Sequence, residues 1–248
     1  MILSEMLAYT AAQFLDDRAD LVDGDPDSIW SDEFLVRQFN EAQRLLARRA
    51  WCIIEEGVAP AGVVTLATSV AVYDLHKSVL RVLMVTPSDQ AWPLGRTSDL
   101  KLRSPRPFSD TPFDINNLET TETGRPIAFS TDAGTRKMRV FRTPSSTQNG
   151  LLLNLKVARL PVNWLTMDDV DAEPEVPEEY HELLCRYAAG RALILPNVDS
   201  EFRTIGRDLI SGFNDEVKEA RQDRQRAELE PAQWGFSSTT AVLDSGYP

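Results

Sequence analysis

The sequence predicts an α+β protein in which a helical bundle, formed by the N- and C-terminal segments, carries an inserted antiparallel β domain. Apolar residues recur at helical spacing near both ends of the chain and alternate with polar residues in its middle. Nine of the 15 prolines also fall in that middle part, where they exclude a long helix. We therefore assign residues 1–58 and 169–230 to the bundle, residues 59–168 to a sandwich or barrel-like β domain, and residues 231–248 to a C-terminal tail.

Two helices are predicted ahead of the β domain, over residues 4–16 and 31–56. Ser31 can cap the second helix with its hydroxyl, and Gly57 is expected to end it. The apolar residues of the second helix recur mostly at steps of three, four or seven: Leu35, Phe39, Ala42, Leu46, Ile53 and Ile54.

The β domain is indicated by alternation of apolar residues, which is typical of half-buried strands. Asp-Ala-Gly at residues 132–134 and Asn-Gly at residues 149–150 predict hairpin turns, because Gly and Asn tolerate the positive φ of such turns. The alternating sets are Val64, Leu66, Val70 and Val72; Leu80, Val82 and Met84; and Leu151, Leu153, Leu155 and Val157.

Helical spacing returns after an acidic hinge at residues 168–182, which holds eight acidic residues and no basic one. Pro177 suits the first turn of a helix that ends before Pro196. A last helix is predicted from about residue 200 to 228, with Pro231 stopping it. Its apolar face comprises Phe202, Ile205, Leu209, Phe213, Val217 and Ala220.

The charge balance argues against a protein that binds nucleic acid tightly. The 26 Lys and Arg residues against 38 Asp and Glu residues give a net charge of −12, whereas a phosphate backbone is held by a basic surface. Residues 96–142 are locally basic and contain Phe108, Phe113, Phe129 and Phe141, which leaves single-strand binding as an alternative. We favour an ordinary sheet surface, on which one exposed aromatic such as Phe141 is unremarkable.

Membrane insertion and secretion are not predicted. No apolar run reaches the ~18 to 20 residues of a membrane helix, and the first residues lack the basic flank and cleavage site of a signal peptide. Cys52 and Cys185 are interpreted as small buried side chains of a protein made in a reducing compartment.

The search for catalytic residues starts from the two histidines, His76 and His181. His181 and Cys185 are four residues apart, so a thiolate–imidazole pair is conceivable on one helix face. We favour helix packing for both, because such a pair also needs an oxyanion site and access for a substrate. The sequence therefore predicts no catalytic residue.

Metal and cofactor sites are not predicted either. Asp23, Asp25 and Asp27 resemble the start of a calcium loop, but its sixth and twelfth positions hold Ser28 and Phe34 instead of Gly and Glu. We favour a solvated acidic linker, with weak cation binding as the alternative. Zinc spacing, phosphate-binding loops and dinucleotide motifs do not occur in the sequence.

Three blocks of sequence, in order, carry a resemblance to a known family. The first is Asn-Glu-Ala-Gln at residues 40–43, and the second is Gly-Arg-Pro-Ile-Ala-Phe at 124–129, followed by two strands that close near Pro161. The third, residues 176–192, includes Tyr-Ala-Ala-Gly-Arg and precedes a long charged helix. In this order and spacing the blocks resemble the head-to-tail adaptor proteins of tailed bacteriophages.

The resemblance implies a structural virion protein that is not an enzyme, is made in the host cytoplasm and lies in the neck of the virion. It implies a ring of the chain with itself, twelve copies in all, bound to the portal protein and to a tail or nozzle protein. DNA would pass through the lumen without specific binding, which an acidic lining favours. The alternatives are a tail-completion protein and an enzyme or small-ligand protein of the same layout.

The C-terminal tail carries the interface residues that we expect. Trp234, Phe236 and Tyr247 lie among Ser, Thr and Gly without helical or strand periodicity. Aromatic residues anchor interfaces in pockets, so we expect the tail to dock on a neighbouring subunit or on the portal. Folding back onto its own bundle is the alternative.

Overall fold

A computed structural model describes residues 1–15, 30–96, 123–131, 136–196 and 198–234, with side chains described as far as residue 226. The chain divides into two compact units. One comprises Met1–Cys52 and Asn163–Pro248, and the other comprises Ile53–Val162. The inserted unit thus begins at residue 53, six residues before the start assigned from the sequence, because a strand that belongs to its sheet follows directly.

The helical unit contains α1 (Leu3–Phe14), α2 (Asp32–Ala50), α3 (His181–Leu193) and α4 (Ser200–Trp234). Helix α3 contacts each of the other three helices. The buried side chains along these contacts include Phe39, Leu46, Leu184 and Phe213, so both ends of the chain supply the core of the unit. None of the described helices is both long and apolar enough to cross a bilayer.

Helix α2 begins as predicted but ends earlier. The hydroxyl of Ser31 accepts a hydrogen bond from the amide of Phe34, at 3.2 Å. Trp51 takes a left-handed conformation, with φ of 55°, and its amide donates to the carbonyl of Ala47 at the helix end. The predicted end at residue 56 is therefore wrong: the backbone turns out of the helix at Trp51, and the residues that follow pair in a sheet.

Helix α4 ends later than predicted. It continues through Pro231 to Trp234, so the expected stop at this proline is wrong. Proline lacks one backbone donor, but its φ of about −65° is helical, and the last turn can therefore continue past it. At ~1.5 Å per residue, the 35 residues of α4 span about 52 Å.

The described residues of the β unit form two sheets. In the first, β8 (Leu152–Arg159) pairs with β1 (Ile54–Glu56), β2 (Val63–Thr65) and β4 (Val79–Pro87). In the second, the order is β3, β7, β6, β5, which are Val72–Asp74, Lys137–Phe141, Ala128–Ser130 and Gly95–Arg96. The pairing is antiparallel except between β5 and β6, which run parallel over two residue pairs.

One hydrophobic core joins the two sheets, as in a sandwich. Leu153, Leu155 and Val157 of β8 are fully buried in it, as their alternation predicts. Strand β4 differs, because two bulge-like register shifts against β8 change its phase. Val79, Val82 and Val85 are buried, whereas Leu80 and Met84 of the predicted alternating set are only half-buried.

The predicted turns have mixed outcomes. Gly150 has a φ of 83°, as expected for a turn glycine. It does not close a hairpin, however, because it leads into β8 after the 3-10 turn Ser146–Gln148, and the preceding strand β7 belongs to the other sheet. The predicted turn at residues 132–134 lies outside the described residues, although the flanking strands β6 and β7 pair antiparallel.

Candidate interaction surfaces

His181 and Cys185 do not form a catalytic pair. The imidazole of His181 is 3% exposed; its Nε2 donates to the carbonyl of Val176 and its Nδ1 accepts from the Met1 ammonium, each at 3.0 Å. The thiol of Cys185 instead lies 3.8 Å from the carbonyl of Met6. Burial raises the pKa of Cys185 to about 11, so the thiol stays protonated at neutral pH. Both residues serve packing, as favoured from the sequence.

The other histidine, His76, makes a local contact. Its Nδ1 lies 2.8 Å from the hydroxyl of Ser78, two residues further along, in the turn between β3 and β4. Within the described ranges, no group of His, Cys, Asp and Glu could hold a metal ion. The acidic run at Asp23, Asp25 and Asp27 lies outside these ranges.

In the described part of the basic stretch, neither aromatic side chain is exposed as single-strand binding requires. Phe129 and Phe141 are 1% and 2% exposed. The expectation that Phe141 faces solvent is therefore wrong, because the face of β7 opposite the shared core is itself covered at this residue. Phe108 and Phe113 lie outside the described residues.

Two side chains of the first resemblance block hold the segment that returns the chain to the helical unit. Asn40 on α2 donates to the carbonyl of Leu165 at 2.8 Å and accepts from its amide at 2.9 Å. One turn later, the side-chain oxygen of Gln43 accepts from the amide of Glu175 at 2.6 Å. The block is recognisable in the sequence, but its role in holding this segment is visible only in the structure.

A groove of about 570 Å³ opens between α2 and this returning segment. Val36 and Leu165 form its floor, and Trp164, 51% exposed, stands beside it. Arg37 and Arg44 line the groove and are exposed, and neither makes an ion pair with any residue in the described part of the chain. Glu33, Asn40 and Glu41 complete the lining.

The apolar face of α4 is buried over only part of its length. Phe213, Val217 and Ala220 are buried, whereas Phe202 and Ile205 are each 46% exposed. Glu201 and Asp208 are exposed beside this uncovered part. We call Glu201, Phe202, Ile205 and Asp208 the α4 stripe.

Of the interface residues expected in the tail, Phe236 and Tyr247 lie outside the described residues, and Trp234 is the last residue of α4, with its side chain not described. Trp92 in the β unit, at 80% exposure, is an exposed aromatic residue that was not predicted from the sequence. The prolines and glycine near Trp92 in the sequence did not indicate that its side chain would be exposed.

The family model described as SU10 adaptor protein matches residues 1–235 of the chain. The match therefore covers both compact units and helix α4. A comparison with curated proteins finds no significant match.

Proposed function

The chain belongs to the SU10 adaptor protein family, a family of phage head-to-tail adaptors, and on this premise we propose that it forms a ring between the portal and the tail through which the phage DNA passes. The observation that carries the proposal is the extent of the family match, which includes the helical unit, the inserted β unit and α4. The family is structural, and a place in the virion neck and contacts with portal and tail follow from membership. What we propose beyond family membership is that the chain forms a ring of twelve copies and that DNA passes through it.

The charge of the chain supports a lumen for DNA. A net charge of −12 at pH 7 gives a surface that repels a polyanion over most of its area, so that DNA slides without being held. The acidic segment at residues 168–182 belongs to the helical unit and carries exposed carboxylates, including Asp168, Asp169 and Asp171. We expect such segments to line or flank the passage.

The proposed role in assembly does not involve catalysis. The imidazole of His181 is occupied by two hydrogen bonds, and the thiol of Cys185 is held protonated. Both groups thereby lack the features of a nucleophile and base.

The tail is proposed as the anchor to the portal or to a neighbouring subunit. Helix α4 leads directly into it, and its aromatic residues suit pockets on another protein. Trp234, Phe236 and Tyr247 remain our proposed contact residues.

The test combines the purified chain with the portal protein of the same phage. Co-sedimentation followed by electron microscopy of the complex should give a ring stacked on the portal, with rotational symmetry visible in end views. The same ring should not shift a duplex DNA band at about 0.15 M salt, where screening acts beyond ~8 Å. Absence of portal binding contradicts the adaptor role, and tight salt-dependent DNA binding contradicts the proposed lumen.

A further inference from the structure

The groove beside α2, which we call the α2 groove, and the α4 stripe each combine exposed apolar side chains with charged groups that can pair across a contact. The groove offers Arg37 and Arg44, which make no ion pair in the described chain, beside the exposed Trp164, although Glu33 and Glu41 also line it. The stripe offers two exposed carboxylates beside Phe202 and Ile205. Glu201 and Asp208 likewise make no ion pair within the described ranges.

The spacing of the charges also agrees. Arg37 and Arg44 are seven residues apart on α2, and Glu201 and Asp208 are seven residues apart on α4. Seven residues are about two helical turns, or ~10.5 Å, so each pair lies on one side of its helix. Two helices packed side by side can therefore join both pairs at once.

A copy cannot fill its own groove with its own stripe. Asn214 marks the side of α4 that faces α2, because its side-chain oxygen accepts from Arg49 at 2.6 Å. Ile205 precedes Asn214 by nine residues, and nine steps of about 100° place the two on opposite sides of the helix. The stripe therefore faces away from the α2 helix of its own chain.

We infer that the α4 stripe of one copy docks in the α2 groove of a second copy. The inference rests on the proposed assembly of the chain with itself and names the surfaces that meet. Because the two surfaces are different, the contact is heterologous, and repetition of a heterologous contact yields a ring when the rotation closes. Trp164 and the floor of the groove would cover Phe202 and Ile205, and the arginines would pair with the carboxylates.

Charge reversal on each surface tests the inference. The groove variant carries Arg37→Glu and Arg44→Glu, and the stripe variant carries Glu201→Arg and Asp208→Arg. In either variant alone like charges meet, so self-association should weaken by about tenfold or more. A one-to-one mixture should recover it, because each variant then presents the complement of the other. A control with Arg207→Glu and Glu219→Arg, both exposed on α4, should associate like the wild type.

Sedimentation velocity from micromolar to about millimolar concentration provides the measurement, with circular dichroism to verify folding. Variants that associate like the wild type, a mixture that fails to recover, or a wild-type chain that stays monomeric throughout would each overturn the inference. Binding of the same variants to the portal is measured separately. If the variants bind the portal and their self-association is unchanged, only this contact is rejected. If the wild-type chain does not bind the portal, the adaptor role is rejected.

Discussion

Gly190 on α3 and Gly206 on α4 bring the backbones of the two helices into direct contact. A Cβ atom built on Gly190 would lie 2.9 Å from the carbonyl oxygen of Gly206, and one built on Gly206 would lie 2.9 Å from the carbonyl oxygen of Gly190. The contact is therefore reciprocal, and no side chain larger than hydrogen fits at either position without displacing a helix. Gly190 belongs to the Tyr-Ala-Ala-Gly-Arg stretch of the third resemblance block, which thereby acquires a packing role.

Alanine at either glycine should destabilise the helical unit. Overpacking against backbone costs about 1–3 kcal/mol, which exceeds the gain of up to about 1 kcal/mol from the higher helix propensity of alanine. Chemical denaturation of Gly190→Ala and Gly206→Ala measures the loss.

Gly212→Ala on α4 is the matched control, because a Cβ there meets nothing within 4 Å. It should leave stability unchanged or raise it by up to about 1 kcal/mol. Equal effects at all three glycines would show that the close contact does not govern stability.

The stability of the fold should decrease as the pH falls below about 6.5. Burial lowers the pKa of His181, and the neighbouring Met1 ammonium adds to this effect, while the Val176 carbonyl and nearby carboxylates of Glu178 and Glu173 oppose it. The unfolded chain protonates its histidine near the ordinary pKa of ~6.5, whereas the folded chain resists protonation. The unfolded state thus binds more protons below that pH, and stability is lost towards the lower folded pKa.

Denaturation at pH 7.5 and 5.5, with His181→Gln as the comparison, measures this dependence. The substitution should reduce the difference between the two pH values, since glutamine does not titrate. An NMR titration should also place the midpoint of the His181 imidazole below 6.5. A midpoint above 6.5 contradicts the prediction.

Loss of the Asn40 side chain should destabilise the helical unit. Asn40→Ala removes both bonds to Leu165, which is 3% exposed, and leaves its amide and carbonyl without these partners. We expect a loss of about 2–4 kcal/mol in the free energy of unfolding. Asn163→Ala, on the exposed surface of the same segment, should stay within about 0.5 kcal/mol of the wild type. Similar effects from both would show that the paired bonds contribute little.

The two cysteines should be unreactive in the folded protein. Both thiols are buried and neither forms a disulfide in the described chain, and burial holds the pKa of Cys185 near 11. Because the thiolate is the reactive form, a thiol reagent at pH 8 should label the native chain far more slowly than the denatured chain. Cys52→Ala with Cys185→Ala should preserve portal assembly. Rapid native labelling, or normal folding without assembly in the double variant, would indicate a chemical role for a thiol.

Trp234→Ala together with Phe236→Ala should weaken portal association by about tenfold or more while leaving unfolding nearly unchanged, because interface aromatics supply much of the binding energy. Calorimetry and co-sedimentation separate the two effects. Trp92→Ala in the β unit is the control, since it removes another exposed tryptophan. If the double variant instead lowers stability by about 3 kcal/mol or more with unchanged association, the tail is part of the core.

The sequence predicted those elements whose periodicity is set by one dominant interaction. Leu153, Leu155 and Val157 alternate because β8 is paired on both edges and covered on one face by the core. The cap at Ser31 was predictable because it depends on local backbone donors alone. The family resemblance likewise followed from the order of short blocks, and the family match agrees with it.

Features set by packing between distant segments could not be predicted from the sequence. The bulges of β4 depend on its partner β8, more than 60 residues later in the chain. Trp51 ends α2 in a left-handed conformation. A glycine at this position would have predicted such a conformation, but a tryptophan does not. The exposure of Phe202 and Ile205 depends on where α3 stops covering α4, and helical periodicity carries no information on that limit.

The insertion of the β unit between α2 and α3 also determines the order in which the protein can fold as it is synthesised. The β unit has all its described strands once Arg159 has left the ribosome, whereas the apolar face of α2, complete at Ala50, lacks α3 until Leu193 emerges. At ~5 to 20 residues per second, these 143 residues take roughly 7 to 29 s. During this interval the face of α2 that packs against α3 has no cover from α3, and we expect the nascent chain to be most prone to aggregation then.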